Sequence, residues 1–228
     1  QLLLKDKAML LQEEVNKATL RLKESEHETL QMLGKSAEYK DPETNAHTQR
    51  VSHYCKILAR AYGLDENLQD IIFYASPFHD LGKIGIPDRI LLKPGKLDAD
   101  EYEIMKKHSQ IGYEILKGSK SKYLKAGGVI AYNHHEKYDG TGYPNGLRGE
   151  NIPIFGRITA IADVFDALTS TRPYKKAWSV DEAFNLLIEE KNRHFDPILV
   201  DLFIKNKEDV MNIHNKFSQE ELNDKIYL

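Results

Sequence analysis

Residues 79–91 read His79-Asp80-Leu81-Gly82-Lys83-Ile84-Gly85-Ile86-Pro87-Asp88-Arg89-Ile90-Leu91. An imidazole and a carboxylate stand side by side at the head of the stretch, and both groups ligate divalent cations. The run from Gly82 to Pro87 then halts any helix, because glycine loses too much backbone entropy there and proline has no N–H to donate. Lys83 follows Asp80 by one helical turn and shares its face.

The same punctuation recurs on both sides. Helical segments of ordinary length run between Asp41-Pro42, Gly63, Gly82 to Pro87, Pro94-Gly95, Gly118 and Gly127-Gly128, each read as a stop. From Tyr138 to Pro153 the residues Gly140, Gly142, Pro144, Gly146, Gly149 and Pro153 forbid a continuous helix, and a long loop in mid-domain is often functional. Helical periodicity returns over Ile158 to Ser170 and Val180 to Glu190, and Phe195-Asp196-Pro197 opens a further helix. Beyond Lys205 the chain is polar and reads as a peripheral helical tail. The expected fold class is all-α, a helical bundle.

Upstream, Leu4, Ala8, Leu11, Val15, Ala18, Leu22, Ser25, Thr29 and Met32 recur in alternating steps of four and three, with charged residues between them. That is a heptad seam, expected to make a long coiled-coil-like helix over residues 1–36 that dimerises and passes on a signal. The plainer alternative is an amphipathic helix packed on its own domain. Residues 37–228 then form one catalytic domain with its helical tail.

Composition narrows the function classes. With 32 basic and 35 acidic residues, a formal charge of −3, the chain has no broad cationic field for holding DNA or RNA. Bulk nucleic acid is therefore not an expected partner, and an anionic substrate must be recognised locally. The single cysteine, Cys55, has no partner for an internal disulfide and no second thiol for zinc, which fits the reducing cytoplasm. No stretch approaches the roughly 20 apolar residues that cross a bilayer. The chain begins at Gln1, which we read as a fragment, with an upstream sensor or receiver domain expected and a membrane anchor left open.

Five of the nine histidines, His47, His79, His108, His134 and His135, are spaced so that successive helices of a bundle each contribute one ligand or one pair. Carboxylates join them: Glu43 one turn before His47, Asp80 beside His79, and Asp163 one interval after the pair. This imidazole and carboxylate set lacks thiolate and favours iron, manganese or another divalent first-row ion over a structural zinc site. Eight ligands exceed one ion's needs. Two ions sharing the Asp80 carboxylate would grip a phosphate, and Glu43 raises the count to three. Taken singly, each histidine is more often a surface or satisfied core residue.

The residues now carry a specific resemblance. His79-Asp80-Leu81-Gly82-Lys83 matches the HD phosphohydrolase motif, Ile86-Pro87-Asp88 with Ile90-Leu91 continues it, and His134-His135-Glu136 with Asp139-Gly140-Thr141-Gly142-Tyr143-Pro144 contains a Gly-Tyr-Pro signature. A third block runs from Ala162-Asp163-Val164-Phe165-Asp166 through Ser170 to Arg172-Pro173-Tyr174-Lys175. The chain resembles the HD-GYP family of cyclic di-GMP phosphodiesterases over about Glu38 to Ile204. The resemblance implies an HD-type helical bundle in which His47, His79, Asp80 and Asp163 hold one metal. Asp80 bridges to a second held by His108, His134 and His135, and Glu43 matches the position associated with three-metal members. It further implies that Arg172 and Lys175 contact phosphate and guanine. Lys83 is expected to reach a phosphate oxygen, and Asp80 and Lys83 are the expected catalytic pair. Tyr143 is assigned to the substrate, with the shaping of the loop as its plainer role. Glu136 and Asp139 are expected to order the loop or the imidazoles rather than bind metal.

The implied function is hydrolysis of cyclic di-GMP to linear pGpG, with further cleavage to GMP left open, using iron or manganese, in bacterial signalling, by a homodimer joined through its N-terminal helix. Two alternatives stand beside it: a phosphohydrolase for another cyclic dinucleotide or nucleotide, and a non-catalytic sensor that binds nucleotide or a partner.

Overall fold

The protein is described from a computed structural model covering residues 2–37, 45–170 and 176–226, with side chains at 6–36, 46–170 and 176–218. Among these residues the regular elements are helices, with one isolated bridge between Lys191 and Phe195. In chain order they are α1 (Leu2–Ala37), α2 (Asn45–Tyr62), α3 (Glu66–Ala75), α4 (Asp88–Leu91), α5 (Ala99–Leu116), α6 (Lys122–Asn133), α7 (Ile154–Thr169), α8 (Val180–Glu189), α9 (Pro197–Lys205) and α10 (Lys207–Ile226). Short 3-10 turns cover Ser76–Phe78, Leu81–Gly85 and Gly149–Asn151. No helix is long and apolar enough to cross a membrane among the described residues.

The chain divides into two compact units, residues 1–33 and 34–228. In the first, α1 is continuous, and its seam residues Leu11, Val15 and Leu22 are 66%, 51% and 71% exposed.

In the second unit the helix starts are written locally. Asp65 caps α3 by accepting from the Leu68 amide, Asp98 and Glu101 form a reciprocal capping box on α5, and Ser179 and Glu182 form another on α8. Asp196 caps α9 with Pro197 in its first turn. Helix α2 packs against α3, α7, α9 and α10, and lays Val51, Tyr54, Cys55 and Leu58 into a common core with Ile158, Ile161, Phe165, Leu199 and Phe203. The Phe165 ring lies 5.5, 5.1 and 4.9 Å from those of Tyr54, Phe203 and Phe184. Each such side chain contributes about 1.5–3 kcal/mol by leaving water.

Two expectations are corrected. Gly127-Gly128 is no stop: α6 runs through both residues. They instead permit close packing, since a Cβ on Gly127 would meet Phe78 at 3.2 Å and one on Gly128 would meet Leu116 at 3.3 Å. The polar tail is helical as expected but not merely peripheral, because α10 buries Val210 and Phe217 and packs on α2 and α9. The Asp41-Pro42 stop lies outside the described residues.

Candidate metal centre

His79 and Asp80 sit between two 3-10 turns, in a segment too tightly wound for an α-helix. The following Gly82 presses on α5 so closely that a Cβ there would lie 1.8 Å from the His108 carbonyl oxygen. Only glycine allows this approach, and it brings Asp80 and His108 together. His47 comes from the first turn of α2, His134 caps α6, His135 follows it, and Asp163 points from α7.

Seven of the eight expected ligands lie within the described residues, and they fall into two groups. Asp80, His108, His134 and His135 offer ligand atoms all within 4.8 Å of one another, as do His47, His79 and Asp163. Asp80 faces both ways: Oδ1 is 3.3 Å from His108 Nε2 and 3.6 Å from His134 Nε2, while Oδ2 is 3.3 Å from His79 Nε2. Asp163 Oδ1 stands 3.7 and 3.8 Å from the Nε2 atoms of His47 and His79. Glu43, Arg172 and Lys175 lie outside the described residues.

The histidines are held by their other nitrogen. Nδ1–H of His79 donates to the Ser76 carbonyl at 2.9 Å, that of His108 to Met105 at 2.7 Å, and that of His134 to Ala131 at 3.1 Å. A carbonyl only accepts, so Nδ1 carries the proton in each neutral ring and Nε2 turns a lone pair inward. His79 Nε2, His134 Nε2 and Asp80 Oδ1 are buried with no hydrogen-bond partner among the described residues. Converging acceptors left bare in this way carry a large desolvation penalty unless a cation lies between them. The residues present therefore fit a divalent metal.

The charges reinforce the picture. Burial pushes His79 down, but the neighbouring Asp80 and Asp163 carboxylates outweigh it and raise it to about 10; the same carboxylates that favour a second proton on Nε2 favour a metal cation in its place. Burial, with no such dominant partner, drops His108 to about 4 and holds His135 well below the usual range. Burial alone would raise Asp80, yet Lys83 and His79 pull it well below the carboxylate range. Lys83 sets its ammonium 2.7 Å from Asp80 Oδ2.

The loop after His135 is stapled by Glu136, which is buried: Oε1 accepts from the Asn145 amide at 2.7 Å and Oε2 from Leu147 at 2.9 Å. Asp139 accepts from the Thr141 amide at 2.9 Å, and the Tyr138 and Asp139 amides donate to His194 and Arg193. Glu136 and Asp139 thus order the loop. Gly142 folds back on it, where a Cβ would lie 2.2 Å from the Lys137 nitrogen. Tyr143 stacks on His135, centroids 4.7 Å apart at 30°, with the Lys106 ammonium 5.7 Å from its ring centre. Its nearest ring neighbour is a member of the ligand cluster, so it can brace the centre as well as line it.

Reading from the sequence missed Arg50. Its guanidinium is buried and forks onto the buried Asp166, with Nε 2.6 Å from Oδ1 and Nη2 3.0 Å from Oδ2. Burial alone would raise Asp166, but the His47 and Arg50 hydrogen bonds hold it at about 2. The three-residue step from Asp163 to Asp166 puts both carboxylates on one face of α7, but nothing in it points to Arg50.

A helical bundle with a His-Asp centre split around one carboxylate defines an HD-type metal-dependent phosphohydrolase. Residues 31–199 match the HD domain family, and the chain belongs to it, with the signatures of the HD-GYP branch. Among curated proteins it is 46% identical over 214 residues to the cyclic di-GMP phosphodiesterase response regulator RpfG of Xanthomonas campestris pv. campestris, covering 94% of this chain and 57% of that one. It is 51% identical over 185 residues to the 3'3'-cGAMP-specific phosphodiesterase 2 of Vibrio cholerae, covering 81% and 35%. It is 41% identical over 218 residues to a cyclic di-GMP phosphodiesterase of Thermotoga maritima, covering 96% and 59%. The chain thus spans roughly a third to three-fifths of these relatives' length. Among solved structures, the fold is shared with the V. cholerae cyclic GMP-AMP phosphodiesterase V-cGAP3 (TM-score 0.61, 19% identity, 85% of this chain and 53% of that one). It is also shared with the HD domain of L. monocytogenes PgpH (TM-score 0.54, 16% identity, 81% and 96%).

Proposed function

We propose that this domain hydrolyses cyclic di-GMP to linear pGpG, with two divalent ions, iron or manganese, and a third where Glu43 contributes. The observation that carries the proposal is Asp80, whose two oxygens face two separate clusters of imidazoles. Bound there, a metal pair supplies Lewis acidity toward phosphate oxygens and lowers the pKa of bound water. Asp80, His108, His134 and His135 would hold one ion, and His47, His79 and Asp163, with Asp80, would hold the other. The chain's own groups do the rest. Lys83 offers its ammonium to a non-bridging phosphate oxygen or to the departing one. Tyr143 and Lys106 bound the approach to His135, and Arg172 and Lys175 take the remaining phosphate and guanine contacts. In this reading α1 pairs with α1 of a second copy and receives a signal from a sensor or receiver domain upstream.

The 51% identity to a 3'3'-cGAMP-specific phosphodiesterase supports a second reading, in which the same centre prefers the mixed cyclic dinucleotide. Turnover of both substrates by anaerobically purified protein supplied with ferrous or manganous ions, beside a His79→Ala, Asp80→Ala variant, tests them together. Linear pGpG that vanishes in the variant supports the first reading. Preference for cGAMP favours the second, and metal bound without turnover of either refutes both.

A further inference from the structure

Of His47, His79, His108 and His134, only His47 sends Nδ1 to another side chain rather than a main-chain carbonyl: Asp166 Oδ2, at 2.8 Å. Asp166 is fully buried on α7 and accepts four hydrogen bonds. Oδ1 accepts from Arg50 Nε at 2.6 Å, and Oδ2 accepts from His47 Nδ1, from Arg50 Nη2 at 3.0 Å and from Ser170 Oγ at 3.1 Å. Four hydrogen bonds from three side chains occupy Asp166, and its oxygens belong to neither group of converging ligand atoms. It differs in this from Asp163, one turn earlier on the same helix, which faces the opposite nitrogen of the same ring. His47 is clamped between two aspartates of α7, one on each nitrogen.

A buried arginine–carboxylate pair is poor evidence of stabilisation, because apolar residues of equal volume commonly serve stability as well. What apolar residues would not supply is an acceptor that fixes which nitrogen of His47 carries the proton. Arg50 also donates to Ser170 Oγ at 2.8 Å, so the Asp166 carboxylate is gripped from both α2 and the end of α7.

We propose that Asp166, locked by Arg50 and Ser170, is a positioning residue that fixes the Nδ1–H tautomer and ring plane of His47 and so aims Nε2 at the cation shared with His79 and Asp163. The inference rests on the metal-centre reading above, and its test separates the two. The chain carrying Asp166→Asn is loaded anaerobically with Mn2+ beside the unmutated chain, and bound metal and affinity are measured by elemental analysis and titration. Asparagine keeps the size but turns an amide NH2 toward His47 Nδ1, favouring the tautomer that points N–H at the cation. We expect one ion to bind roughly 10- to 100-fold more weakly and the other unchanged. A folded variant that binds every ion as tightly as the unmutated chain overturns the positioning role and leaves the metal centre standing. An unmutated chain that takes up no metal overturns the centre itself, and this inference with it. The unmutated protein carries an independent readout: loaded with Zn2+ and labelled with 15N-histidine, it should show His47 protonated at Nδ1 and bare at Nε2. Observation of Nε2–H on His47 refutes the assignment whether or not the variant folds.

Discussion

Glu136 follows directly on two ligand histidines, yet the structure spends its carboxylate on the loop. Its two oxygens take the Asn145 and Leu147 amides at 2.7 and 2.9 Å from inside a buried position. Hydrogen bonds to a charged group contribute about 1.5–3 kcal/mol each. Asn145 is exposed, so its amide recovers part of that from water when the carboxylate is removed. Glu136→Ala should therefore destabilise the loop by roughly 2–4 kcal/mol, which is roughly a 30- to 700-fold rise in amide exchange at 145 and 147. If the loop opens together with the domain, the same energy appears as a melting point lower by roughly 4–16 °C. Glu136→Gln keeps one acceptor and opposes an NH2 to the second amide, so it should fall between the two. Hydrogen exchange by mass spectrometry over residues 137–149 reads the local effect and calorimetry the global one. Unchanged exchange at both amides in a folded Glu136→Ala protein would refute the stapling role.

A Cβ at position 142 meets the Lys137 nitrogen at 2.2 Å and the Glu136 Cα at 2.5 Å, both main-chain atoms that cannot step aside. Gly142→Ala should shift the loop, part Tyr143 from His135 and lower turnover at least tenfold with little change in helix content; activity and circular dichroism check it. Cys55 is fully buried, and burial raises its thiol to about 12 against an ordinary 9.0. It should resist Ellman's reagent in the native protein at pH 8 and react within seconds after denaturation. A folded pKa above the unfolded one means that stability is complete below pH 9 and is lost as pH rises toward 12, by up to about 1.4 kcal/mol per unit. Burial raises Tyr54 in the same direction. Denaturant midpoints between pH 8 and 11 measure the slope.

The helical class was legible because glycine and proline act locally: Gly63 ends α2 with φ at +91°, and the Gly82 to Pro87 run breaks the chain after His79-Asp80. The grouping of the seven described candidates was legible because imidazole beside carboxylate, repeated at the interval of a helix and its connection, has few other uses. Gly127-Gly128 was misread because a glycine that ends a helix and one that lets a neighbour press close are identical in sequence. Arg50 was missed for a similar reason. An arginine on an amphipathic helix normally reaches solvent, and only tertiary contact shows that its fork closes on Asp166, 116 residues away. In α10, Val210, Ile213 and Phe217 recur at steps of three and four, a helical apolar stripe that was overlooked in a tail judged by its overall polarity.

The side chains of the centre arrive from α2, the turn around His79, α5, the end of α6, and α7, spread between positions 47 and 163. No contiguous peptide holds either group. On a ribosome that adds about 5–20 residues per second, roughly 6–23 seconds separate the appearance of His47 from that of Asp163. A nascent chain in that interval can show a passing ion only fragments of its eventual coordination shell. The group of His47, His79 and Asp163 is complete only when α7 has docked, which ties full loading of the centre to completion of the domain.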